Sequence, residues 1–290
     1  MSTLTSFVGV LFDGLAYGSL LFLIGIGLSV TMGLMNFINL AHGAFAMLGG
    51  YAAVIAMSRL GVPFIPALLV AFLASGAAGA LLERVLYRRL YRATHLDQVL
   101  FTIGLTFMSI AAATYFFGPT QQPVQLPAFL TGQLHVLGLD LGTYRLFLMA
   151  MVVLVTVALV YLVERTRFGS QVRAAVDNQQ AAVGLGINVE RVFSITFALG
   201  SALAGLGGAL GINVLGLDPT FPLKYMVYFL LVVAVGGAGT IRGPMIAALL
   251  LGVFDVAGKY YVPQVGAFVI YAVMVAMLLV FPAGLAGRRS

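Results

Sequence analysis

Three histidines, His42, His95 and His135, are the side chains of this sequence that exchange protons near neutral pH. They lie far apart with no HxxxH or HExxH spacing, so a preassembled metal site is not expected. Cysteine is absent, which removes disulfides, thiolate nucleophiles and Cys-based metal sites. An enzyme built on His42 would need a convergent partner such as Asp13 or Asp255, and His42 alone does not supply that geometry. Those two carboxylates lie in or near apolar runs, where an ion-coupled carrier would use one. Each is also close to the end of its run, where it can reach water. GxGxxG and GxxxxGK[ST] are both missing, so no nucleotide loop of either kind is expected. The reading is of a non-enzyme with no resident cofactor.

Polar residues interrupt the apolar runs in two places. Asn36–Gly43 reads NFINLAHG, and Gly236–Pro244 reads GGAGTIRGP. Amides and an imidazole cost several kcal/mol in hydrocarbon if unsatisfied. Such breaks are tolerated where they face protein or a water-filled path. One reading puts Asn36, Asn39, His42 and Gly43, with Gly236, Gly237 and Gly239, at a translocation path or gate. The other makes the first break a set of interhelical hydrogen bonds or a surface loop. A Gly-broken segment in each half of a chain is a pointer to a transporter pathway.

A third segment, 164–188, is polar and basic. Ser170 is a reasonable helix N-cap, and Gly184 and Gly186 end the segment. The spacing predicts a short amphipathic helix over 170–183, with Val172, Ala175, Val176 and Val183 on or near one face and Arg173, Asp177 and Asn178 toward the other. Such a helix lies on lipid or docks in a partner's groove. A single basic residue within it is thin for lipid binding, which favours the partner.

These segments need a frame. Only 8% of the 290 residues are charged and 61% are hydrophobic, with mean hydropathy +1.08. That excludes a disordered chain and argues against a soluble enzyme. Apolar runs predict spans at roughly 8–33, 42–58, 64–86, 96–117, 145–163, 191–213, 224–238, 243–258 and 265–282. The fold class is an all-α polytopic membrane protein of eight or nine helices in one domain, 1–290. The count depends on whether either broken segment is re-entrant. No basic residue precedes the first run, so it is expected to remain in the mature protein as a span.

Arg84, Arg88, Arg89, Arg92, Arg165, Arg167, Arg173, Arg191, Arg242, Arg288 and Arg289 group at one set of span ends, and Arg59, Arg145, Lys224 and Lys259 at the other. The first set is expected to be cytoplasmic. The formal charge of +6 reads as this topology signal and not as a nucleic-acid surface. Segment 118–144, rich in Pro and Gln, would then be external. Gly14 with Gly18, and Gly207 with Gly211, form GxxxG pairs suited to close helix packing within the chain.

Taken together, the segments resemble the smaller, H-type permeases of the high-affinity branched-chain amino acid ABC transporter family, a family that also includes urea and amide transporters. The resemblance covers nearly the whole chain. It is carried by Asp13–Ser19 (DGLAYGS), by Asn36–Gly43 with Ala44–Tyr51 (AFAMLGGY), by Thr166–Gly169, Arg173-Ala174 and Leu185–Asn188, and by Gly236–Gly243. The resemblance implies an importer subunit in a bacterial inner membrane. Its expected partners are a second permease, related or identical, two cytoplasmic ATPases, an external binding protein and the bilayer. The loop residues Arg167, Phe168, Gly169, Val172, Arg173, Val176 and Asp177 would then couple to an ATPase. The alternative is an ion-driven secondary transporter of a small neutral solute.

Overall fold

The computed structural model describes residues 3–35, 37–91, 93–136, 139–281 and 284–286. Asn36, Arg92, Arg288 and Arg289 lie outside them. Eleven α-helices are present among the described residues: α1 (Thr3–Met35), α2 (His42–Leu60), α3 (Phe64–Val85), α4 (His95–Phe117), α5 (Thr143–Arg165), α6 (Arg167–Asp177), α7 (Gln179–Gly184), α8 (Val189–Leu215), α9 (Phe221–Gly236), α10 (Arg242–Tyr261) and α11 (Gly266–Val280). The nine expected spans correspond to all of these except α6 and α7. Seven of them are long and apolar enough to cross a membrane. At 16 and 15 residues, α9 and α11 rise only about 24 and 22 Å, short of a hydrocarbon core of about 30 Å. The protein is an all-α polytopic membrane protein.

The innermost helix is α8, and small residues put it there. Gly207 lies against Ile24 of α1 and Gly200 against Gly27, so α1 and α8 run antiparallel. A Cβ on Gly208 would overlap the Ala46 backbone of α2. Gly205 and Ser201 meet Ser75 and Gly79 of α3. The first GxxxG pair faces α10: a Cβ on Gly14 would sit 2.6 Å from the Val253 Cα, and one on Gly18 2.8 Å from the Leu249 Cα. Both GxxxG pairs therefore pack helices of this one chain. In lipid, where apolar burial drives little, such backbone approach supplies the packing enthalpy.

The peripheral spans α4 and α5 leave most of their surface free of protein contact. Segment 118–144 holds the only strands among the described residues, an antiparallel hairpin of β1 (Gln133–Val136) and β2 (Leu139–Gly142) with His135 opposite Asp140. The segment is tied down where Gln122 N–H donates to Leu217 O at 2.8 Å.

Segment 164–188 departs from the single expected helix. Thr166, not Ser170, is the N-cap, its hydroxyl accepting from Gly169 N–H at 3.2 Å. Ser170 donates instead to Arg167 O at 2.8 Å. The helix breaks at Asn178, whose extended backbone ends α6 and whose side chain caps α7 by accepting from Ala181 N–H at 2.9 Å. An Asn side chain that can satisfy free N–H groups competes with helix continuation, and here it wins.

Candidate sites for translocation and coupling

The first break is a re-entry. After α1, residues 37–39 have no regular secondary structure, and a turn at residues 40–41 leads into α2. The His42 ring Nε2 lies 2.8 Å from Ile24 O, eleven residues before the end of α1 and so about 16 Å along its axis. Backbone outside a helix at such depth needs partners from neighbouring helices. Helix α4 supplies them: Gln98 Oε1 accepts from Ile38 N–H at 3.3 Å, and Thr106 donates to Leu40 O at 3.5 Å. Gln98, Thr102 and Thr106, four residues apart, form a buried polar stripe on an otherwise apolar helix.

Asn39 is 2% exposed, and its Oδ1 accepts both from Ala41 N–H at 3.1 Å and from the Tyr87 hydroxyl at 3.0 Å. Gly43 lies against α9, where a Cβ would come 3.0 Å from the Pro222 Cα. The gap between His42, Gly43, Leu28 and Phe229 is too narrow to admit water.

The second break ends α9 at Gly236. Gly237 and Gly239 take φ of 91° and 80°, left-handed values that L side chains avoid. Gly239 N–H donates to Ser29 O at 2.9 Å, and the Ser29 hydroxyl returns a bond to Thr240 O at 3.2 Å. A Cβ on Gly33 would overlap the Gly239 backbone. The two breaks thus share α1 as their anchor, one at Ile24 and one at Ser29–Gly33. Arg242 opens α10 and is exposed. Residues 284–286 fold back on this break, with Leu285 N–H on Val235 O at 2.7 Å and Ala286 N–H on Gly236 O at 3.2 Å. They satisfy carbonyls that the end of α9 leaves free.

The third site lies at the arginine-rich end. Gly169 sits against the Val163 carbonyl at the end of α5, and Arg173 donates to that same carbonyl. Val172 and Ala175, expected to face a partner, are instead buried with Ala182, Val189, Val192 and Phe193 of this chain, and Phe168 packs beside them. The reason is α8, whose first turns present an apolar face to α6. Val176 is 46% exposed, Val183 58% and Leu185 80%. Arg167 and Asp177 are exposed as well. A groove of about 1030 Å³ opens here, lined by Arg88, Arg89, Tyr91, Val176, Gln180 and Val183 among others.

Aromatic contacts link this third site to the first. The Phe37 ring lies 6.1 Å from Tyr91 and 5.3 Å from Tyr87, and Tyr91 lies 5.8 Å from Phe193. Beneath them Glu83 is fully buried. It accepts from the Tyr91 hydroxyl at 2.8 Å and sits 3.6 Å from Arg88. Burial pushes the Tyr91 phenol well above its ordinary range, and the bond to Glu83 pushes it further, so Tyr91 remains a donor. Glu83, Tyr87 and the α4 stripe were not singled out from sequence. The spacing Gln98-Thr102-Thr106 was the available signal for the stripe.

Both lone acids turn out to be paired. Asp13 bonds Arg145, and buried Asp255 lies 2.5 Å from Lys259 one turn along α10.

No solved structure matches the chain. Among curated proteins it is 30% identical to the high-affinity branched-chain amino acid transport system permease protein LivH of Salmonella typhimurium, covering 97% of this chain and 96% of that protein. It is 29% identical to the corresponding BraD of Pseudomonas aeruginosa, over 96% of this chain and 95% of that one. LivH of Escherichia coli K12 is also 29% identical, over 97% and 96%. The sequence model described as branched-chain amino acid transport system / permease component matches residues 10–278, and the chain belongs to that family.

Proposed function

We propose that this chain is one permease of an ATP-driven importer for branched-chain amino acids or similar small neutral solutes, seated in a bacterial inner membrane. The names of its relatives support the solute class and the transport role. Its arginine-rich end faces the cytoplasm by the positive-inside rule.

The observation that carries the reading is the two-faced α6–α7 unit. One face is built into this chain through Val172, Ala175 and Phe193, and the other leaves Val176, Val183 and Leu185 uncovered beside a groove. An ATPase that grips the outer face would move the inner one. Through Phe193, Tyr91 and Phe37 that movement reaches Asn39 and the re-entrant segment beside the path. The path itself forms between this chain and a second permease, with Asn39, His42 and Gly43 on one break and Gly236–Gly239 on the other as its gate. An external binding protein delivers the solute and sets most of the selectivity.

An ion-driven carrier would need Asp13 or Asp255 free to load a proton or sodium ion. Both are held by basic partners, which supports the ATP-driven reading. The test is affinity capture of the chain from detergent-solubilised native membrane. Two ATPase subunits and a second permease are expected to co-purify in fixed ratio, and recovery of the chain alone at full folding yield would contradict the assignment.

A further inference from the structure

We propose that the hollow between the end of α3 and the start of α8 binds the phosphate group of an anionic membrane lipid. This goes beyond the importer reading and does not depend on it.

The hollow measures about 490 Å³, and Arg84, Arg88 and Arg191 line it together with Asn188, Glu190 and Ser194. Arg84 and Arg191 are exposed and have no carboxylate partner among the described residues. Arg88 is shared between buried Glu83 and Glu190, and its contact with Glu190 at 3.2 Å is largely solvent-exposed, the kind of ion pair that exchanges readily. Asn188 caps α8 by accepting from Arg191 N–H at 2.9 Å, so the hollow sits at the positive end of a 27-residue helix. Guanidinium forks at such an end match the bidentate geometry of a phosphate.

Ser194 is an independent observation. It is 4% exposed, it lines the same hollow, and its hydroxyl has no hydrogen-bond partner in the chain. A buried hydroxyl left unmatched is costly, and a ligand oxygen would relieve it.

The surroundings select a lipid over a soluble anion or a protein rim. Leu81, Val85 and Ile195, on the same two helices, are all exposed, at 63%, 48% and 43%. They continue the apolar outer surface of the spans up to the arginines. A ligand with a phosphate head beside an acyl chain fits both parts, and basic pockets between helices at the arginine-rich membrane face take such headgroups.

The test is native mass spectrometry of the purified chain with phosphatidylglycerol, with phosphatidylcholine of the same acyl chains, and with inorganic phosphate. The wild type is expected to retain phosphatidylglycerol in preference to phosphatidylcholine. Arg84→Gln with Arg191→Gln should cut that retention at least about fivefold, and Ser194→Ala should cut it less. Arg59→Gln, at the opposite end of the bundle, should leave it unchanged. Equal retention of the two lipids, or phosphatidylglycerol retention undiminished in the double variant, overturns the proposal. Inorganic phosphate bound with no lipid preference overturns the lipid source.

Discussion

The hydroxyl of Tyr87, in the turn after α3, donates to Asn39 Oδ1 at 3.0 Å, and both side chains are buried. This bond pins the re-entrant segment to the turn that also carries Arg88 and Arg89 beside the groove at α6 and α7. Tyr87→Phe removes the donor and leaves Asn39 with Ala41 N–H alone. The expected cost is about 0.5–1.5 kcal/mol of stability, read as a lower melting temperature in detergent, with slower uptake at equal protein level. Asn39→Ala strands both donors and should cost more, and the double variant should fall short of the sum.

His42→Leu tests the re-entry at its deepest point. The ring nitrogen lies 2.8 Å from Ile24 O, a polar contact that leucine cannot make. Uptake is expected to fall several-fold while membrane insertion remains normal. Uptake at the wild-type rate with normal protein level would remove His42 from the path.

Gly33→Ala should be more damaging than an alanine usually is in a helix. Its Cβ would overlap the Gly239 backbone, and Gly239 cannot retreat freely because its N–H is held by Ser29 O at 2.9 Å. Overpacking of this kind costs about 1–3 kcal/mol. Gly9→Ala, in open space on the same helix, is the control and should raise helix stability slightly. Equal melting temperatures for the two variants would contradict the close approach.

Arg242→Cys reports sidedness. The chain has no cysteine, so the introduced thiol is unique. It should react with a membrane-impermeant maleimide in inside-out vesicles and not in intact cells. Labelling from outside would invert the topology.

Much of this architecture is legible in sequence because lipid imposes a simple requirement. Apolar runs of about 20 residues locate the spans, and Gly-broken polar stretches mark where the chain re-enters. The partners of those stretches were not legible. Tyr87 reaches Asn39 across 48 positions, and Gln98 reaches Ile38 across 60. Val172 and Val176 look equivalent on a helical wheel, only about 40° apart. Phe193 and Val192 on α8 decide which of the two is covered, and no periodicity within α6 carries that information. The role of residues 284–286 appears only once the carbonyls of α9 are seen to need donors.

The central claim is that the outer face of α6–α7 transmits ATP hydrolysis to the re-entrant segment. It is tested by reconstituting Val176→Asp with the partner subunits in vesicles and measuring stimulated ATPase activity and solute uptake together. Val176 is exposed, so the carboxylate should leave the chain folded, yet it would place a charge where burial of a valine contributes about 1.5–3 kcal/mol. ATPase stimulation and uptake are expected to fall together by at least about tenfold, while Gln179→Ala changes either by less than about twofold. Wild-type values for Val176→Asp in both assays would contradict the coupling role and leave α6–α7 as a helix pair lying on the membrane surface.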